Sequence, residues 1–224
     1  MFDFGARENE IMETLQAFAG AGLEFVVVGG YAVSAYRHRF SIDADVVIRK
    51  EDATRFEKIL EKRRYKKTVT KKLENAYSSE FVRYERKDIK VSIDLLIGGL
   101  GMRQTGASVG FDFLFENSSR MKITGTEKSV VVRVPRREVL IILKLHAGRL
   151  TDLRDVAALS YGLDMEIIRK HLFRGDRKAL QEHLKTLEEL MDKPEFQDSF
   201  KGVFMEEEYR IRPDEIRKIA RLAE

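Results

Sequence analysis

Ile42-Asp43-Ala44-Asp45-Val46-Val47-Ile48 sets two carboxylates inside an otherwise apolar run. Asp45 to Ile48 reads as a strand, and residues two apart on a strand point to the same face. Asp43 and Asp45 therefore share a face, their side chains starting about 7 Å apart. Two carboxylates so placed repel one another unless a cation lies between them. A pair of magnesium ions about 3.5–4 Å apart fits that span. The plain alternative is that both acids mark an exposed strand start.

Working outward, Phe25 to Val28 is a short buried strand that stops at Gly29-Gly30, and residues 31 to 37 suit a short helix. Glycines there let a phosphate approach backbone N–H groups and the positive end of the helix; a tight turn is the ordinary reason for such a pair. Before this strand, residues 8 to 20 carry Ile11, Leu15 and Phe18 at helical spacing. After the acid pair, Glu51 to Arg63 reads as an amphipathic helix with Phe56, Ile59 and Leu60 inward.

Residues 79 to 85 and 89 to 97 read as two more strands about a polar turn at Arg86-Lys87-Asp88. In the second, Val91, Ile93 and Leu95 face one side, while Asp94 shares the other with Ser92 and Leu96. A lone Asp on a strand is usually an edge residue. On a neighbour of the Asp43-Asp45 strand it would complete a metal site. Gly98 to Gly110 is rich in glycine and predicts a mobile loop. Phe111 to Phe115, Met121 to Thr124 and Val130 to Val134 predict further short strands.

After Pro135 the pattern becomes helical, broken near Gly148, Gly162, Gly175 and Pro194, with Pro213 suited to a first helical turn. The expected layout is a mixed α/β domain over 1–135 and a helical domain over 136–224. Within the helical part, Val139-Leu140-Ile141-Ile142-Leu143-Lys144-Leu145 encloses one ammonium. A helix this apolar is largely buried, where an unpaired charge is costly. Lys144 must snorkel outward, pair with an acid, or face an anionic ligand.

Composition narrows the chemistry. The 224 residues contain no Cys, which excludes disulfides, thiolate metal sites and thiol catalysis. The four histidines are scattered, without zinc-ligand spacing, so any metal must be held by carboxylates. No basic-then-apolar leader opens the sequence, and no apolar stretch approaches the roughly 20 residues needed to span a bilayer. The expectation is a cytoplasmic protein with no membrane partner. Net charge is +4, and Lys58 to Lys72 holds eight basic residues against one acid. That run suits a polyanion such as RNA as well as it suits a solvated helix end and turn.

Taken in order, Gly29-Gly30, then Asp43-Ala44-Asp45, then a strand-borne Asp94 resemble the DNA polymerase beta-like nucleotidyltransferase superfamily. Gly29-Gly30-Tyr31-Ala32 followed by Arg39-Phe40-Ser41-Ile42-Asp43-Ala44-Asp45 is most similar to the AbiEii-type toxins and related prokaryotic nucleotidyltransferases. Lys144-Leu145-His146-Ala147, Arg149 and Asp152-Leu153-Arg154-Asp155 resemble a second segment of that group. The resemblance spans residues 24 to about 160.

It implies a small mixed sheet with flanking helices and a helical C-terminal part. It implies transfer of a nucleotide from an NTP to an acceptor hydroxyl, with Asp43, Asp45 and Asp94 catalytic and binding two Mg2+ ions. Gly29, Gly30, Arg39, Ser41 and Lys144 would contact the nucleotide. The acceptor stays open among RNA, protein and a small molecule, and a toxin would have an antitoxin partner. A nucleotide- or RNA-binding protein that keeps the fold without turnover is the alternative.

Overall fold

The computed structural model describes residues 4–72 and 80–223. It opens on α1 (Phe4–Gly20), whose Ile11, Leu15 and Phe18 are fully buried. The apolar run Phe25–Val28 forms β1, and α2 (Gly29–Ser34) follows at once. The predicted helix thus starts two residues earlier, at Gly29 itself, where φ is +65°. A left-handed residue turns the chain from strand to helix in one step, which glycine does without a Cβ clash. β2 (Asp43–Ile48) begins at the first acid. A short 3₁₀ turn, Lys50–Asp52, leads into α3 (Ala53–Lys62), which buries Phe56 and Leu60 but leaves Ile59 half-buried.

The basic run does not end in a turn. Lys66–Lys72 is a strand, β3, at one edge of the sheet. β4 (Glu80–Arg86) and β5 (Val91–Ile97) take the two predicted strand positions, residue 79 lying outside the described residues. The glycine-rich stretch is a hairpin rather than a mobile loop, with β6 (Gly99–Met102) paired to β7 (Ala107–Gly110). A Cβ at Gly99 would stand 2.4 Å from the Val109 carbonyl oxygen, so glycine here permits close strand approach.

Phe111–Glu116 is a helix, α4, where alternating aromatics predict a strand. The residues it buries, Phe111 and Leu114, are three apart, the helical spacing. Five residues of Phe-Asp-Phe-Leu-Phe satisfy both periods, and packing decides between them. β8 (Ser118–Thr124) and β9 (Ser129–Pro135) complete the sheet.

The seven strands run β3-β4-β5-β2-β1-β9-β8. β2–β5 and β1–β9 are parallel pairs, and β1–β2, β3–β4, β4–β5 and β8–β9 are antiparallel. α1 packs against β5, β9 and α3. Phe18, Phe25 and Phe56 meet there at ring-centroid distances of 4.8 to 6.0 Å, edge to face. Central strands buried on this side leave the acids for the other.

The chain divides into two compact units. The first runs to Gly101 and resumes over Val109–Pro135; the second takes Met102–Ser108 and everything from Arg136 onward. The second unit is helical: α5 (Arg137–Ala147), α6 (Leu150–Leu159), α7 (Met165–His171), α8 (Arg177–Met191), α9 (Pro194–Phe204) and α10 (Pro213–Ala223). Asp164 and Asp176 cap α7 and α8, each carboxylate accepting two backbone N–H bonds of the first turn. Pro194 opens α9 and Pro213 opens α10, while Gly148 ends α5 in the left-handed conformation. Among the described residues, no helix is long and apolar enough to cross a membrane.

Candidate active site

Strand register assembles the site. β2 and β5 run parallel with Asp45 opposite Asp94 and Asp43 opposite Ser92. Directly opposed residues present their side chains on the same face. Asp43, Asp45 and Asp94 therefore share one face of the sheet, while Ala44 and Ile93 point into the packed core. On the far side of β5, the antiparallel strand β4 sets Arg83 opposite Asp94. Sequence reasoning missed this residue.

Arg83 grips Asp94 with both arms of its fork. Nε donates to Oδ1 at 2.8 Å and Nη2 donates to Oδ2 at 2.7 Å. Nη2 also lies 3.8 Å from Asp43 Oδ2. Burial pushes the Asp94 carboxyl up; Arg83 pulls it back, Asp43 pushes it further up, and the net direction is upward. The hydrogen bonds that Arg83 donates to Asp94 hold its guanidinium above its ordinary value against burial.

The turn after β1 is fitted to the acids. A Cβ on Gly29 would fall 2.0 Å from Asp45 Oδ2, on top of the carboxylate. A Cβ on Gly30 would fall 2.6 Å from Ser41 Oγ and 3.5 Å from Arg39 Nη2. So Gly29, Gly30, Arg39, Ser41, Asp43 and Asp45 are brought together, and the first demand on both glycines is room for neighbouring side chains. The Ser41 hydroxyl donates to the Asp43 backbone carbonyl at 3.1 Å and lies 3.2 Å from Asp43 Oδ1. The Tyr31 hydroxyl donates to the Ser41 carbonyl at 3.0 Å, tying this segment to α2.

The donor set is oxygen-only and anionic, the chemistry that holds Mg2+. Yet among the described residues no three acids or histidines are gathered so as to share an ion. Both oxygens of Asp94 are committed to Arg83. The carboxylates fit a divalent cation in kind and in face.

Lys144 lies in the second unit, where it pairs with acids rather than snorkelling. Its ammonium is 2.9 Å from Asp152 Oδ1 and 2.8 Å from Asp155 Oδ2, and all three residues are buried. Asp152 also accepts from Arg149 Nε at 2.6 Å. Burial disfavours the Lys144 charge, but Asp155 and Asp152 outweigh it and hold the ammonium above its ordinary value.

The first unit's fold, a mixed sheet with the Gly-Gly turn after β1 and acids on β2 and β5, is that of a nucleotidyltransferase. The antibiotic-resistance factor ANT(2'')-Ia, known from a solution structure, is similar with a TM-score of 0.52 at 16% identity, over 84% of this chain and 97% of that one. The lincosamide antibiotic adenylyltransferase LnuA, in a lincomycin-bound crystal structure, gives 0.48 at 16% identity over 68% and 95%. JHP933 from Helicobacter pylori gives 0.44 at 14% identity over 98% and 90%. No curated protein matches in sequence. The profile of the AbiEii family, described as nucleotidyl transferase AbiEii toxin of a Type IV toxin–antitoxin system, matches residues 11–213. The chain belongs to that family and is a nucleotidyltransferase.

Proposed function

We propose that the protein transfers an NMP from an NTP to a hydroxyl of an RNA acceptor, using Mg2+ held by Asp43, Asp45 and Asp94. The observation that carries this reading is the register: Asp45 opposes Asp94 across a parallel strand pair, with Asp43 on the same face. In the reaction the acceptor oxygen bonds to the α-phosphorus, the bond from that phosphorus to the α–β bridging oxygen breaks, and pyrophosphate leaves. Bound magnesium would supply charge neutralisation on the phosphates and activation of the acceptor hydroxyl.

The chain's own groups position and neutralise. Asp94, opposite Asp45 and on the same face, would help activate the acceptor hydroxyl. Ser41 braces Asp43. Gly30 and Arg39 border the Ser41 hydroxyl and offer a backbone and a guanidinium to the triphosphate. The two carboxylates beside Lys144 keep it charged.

Support for RNA comes from β3. Lys71 opposes Phe81, which lies two residues from Arg83 on β4, so Lys71 stands on the same face as the acids and is exposed. A cation and an aromatic leading to the carboxylates suit a nucleic-acid strand. The family's toxin–antitoxin description supports an antitoxin protein as a further partner.

The test is incubation with each NTP labelled at the α-phosphate, with total RNA or cell lysate, in Mg2+ or EDTA. Label on RNA in Mg2+ alone is expected. Label on a small molecule or a protein would overturn the acceptor, and no label with any NTP would overturn the reading.

A further inference from the structure

Arg83 does to Asp94 what a metal ion would do. It meets both carboxylate oxygens at 2.8 and 2.7 Å, and it lies 3.8 Å from Asp43 Oδ2. Asp94 is nearly sealed, its side chain 3% exposed, whereas Arg83 is 34% exposed and sits at the open end of the pair. Phe81 flanks the guanidinium, whose carbon lies 5.9 Å from the ring centroid, and Glu85 follows two residues along the same strand face. A half-buried arm holding a sealed acid has a route to solvent; the acid has none.

A bare divalent cation reaching Asp94 must displace a bidentate guanidinium and leave it beside the incoming positive charge. A cation arriving on a triphosphate brings anionic oxygens with it, and these give the released guanidinium a new partner. We infer that Arg83 is a positioning residue that stands in for the cation at Asp94 and yields it only to a divalent ion delivered together with the nucleotide.

The inference rests on the carboxylate metal site proposed above and adds an order to its filling. Bare metal binds poorly because Arg83 competes for Asp94; metal and nucleotide bind together because Arg83 changes partner. A fixed strut that merely orients Asp94 would show neither behaviour.

The experiment is Mn2+ binding by calorimetry and by EPR of free Mn2+, without nucleotide, for the wild type, Arg83→Met and Asp94→Asn. Arg83→Met should bind Mn2+ at least about ten-fold more tightly than wild type, the worth of one lost charge-assisted competitor. At a fixed Mn2+ concentration it should also gain more thermal stability than the wild type does. In the wild type, the Arg83 Nε–H NMR resonance should be unmoved by Mg2+ alone and should shift with Mg2+ plus a non-hydrolysable NTP. This second measurement decides the matter if Arg83→Met does not fold.

An Arg83→Met affinity equal to or below wild type, with Asp94→Asn abolishing the wild-type binding, overturns the stand-in role and leaves the metal site intact. An Nε–H resonance that shifts with Mg2+ alone, or stays put with Mg2+ and nucleotide, overturns the role as well. No Mn2+ binding by any variant, with or without nucleotide, overturns both.

Discussion

Lys144→Met probes the most heavily loaded charge in the helical unit. Methionine keeps the length and the apolar stem of lysine and deletes only the ammonium. That ammonium lies 2.9 Å from Asp152 and 2.8 Å from Asp155, whose side chains are 1% and 0% exposed. Asp152 keeps Arg149 at 2.6 Å; Asp155 loses its ion pair with Lys144. Removing one partner of a buried ion pair costs about 3–5 kcal/mol, because the remaining charge stays out of water. For a chain of this size each kcal/mol is about 2–4 °C in Tm, so a fall of at least about 6 °C is expected. The assay is urea unfolding followed by far-UV circular dichroism, read as a change in midpoint at constant slope. Adding Asp155→Asn to Lys144→Met should recover at least about 1 kcal/mol, since the carboxylate that faced the ammonium is then neutral. A loss below about 1 kcal/mol in the single variant would refute the reasoning, and so would a double variant no more stable than the single.

Gly29→Ala forces a Cβ to 2.0 Å from Asp45 Oδ2 at a φ of +65°. It should lower kcat strongly while costing stability only about 1–3 kcal/mol, the range for a strained left-handed residue; equal kcat would show that Asp45 need not sit there. His146 is buried, its Nε2–H donating to the Leu172 carbonyl at 2.8 Å and its Nδ1 lying 2.9 Å from the Thr105 hydroxyl. Burial pushes its pKa below the ordinary 6.5, although the Leu172 bond opposes this. The unfolded chain therefore binds a proton that the folded chain resists, and the contribution is complete above 6.5 and lost as pH falls below it. A melting series from pH 7.5 to 5 should show this decline, and His146→Gln should flatten it; an equal slope in both proteins would refute the assignment.

Much of the sheet was legible because its strands obey simple periods. Asp43, Asp45 and Asp94 break apolar alternation, and the break is visible without coordinates. The shared face of Asp43 and Asp45 follows from parity alone. Which strand lies beside which does not, because the parallel pairing of β2 with β5 joins residues about 50 apart and no local pattern encodes it. Arg83 was missed for a related reason. Its pairing with Asp94 depends on the turn between β4 and β5, which spans 87–90 and leaves Arg86 opposite Val91. A turn centred on Lys87 would slide the register and set a different residue against Asp94. Phe111–Phe115 went astray because five residues fit both periods, and β3 because four lysines in seven residues obscure a strand lying at a sheet edge, where lysine is common.

The central claim is that the acid-bearing face of the sheet moves a nucleotidyl group. The direct measurement compares label transfer from α-labelled and γ-labelled NTP, in Mg2+, by the wild type and by Asp45→Asn matched for far-UV circular dichroism. The account predicts acceptor labelling from the α-phosphate alone, and a loss of at least about 100-fold in Asp45→Asn, the scale expected when one group stabilising the transition state is removed. Transfer of the γ label, or an Asp45→Asn variant as active as the parent, would contradict it.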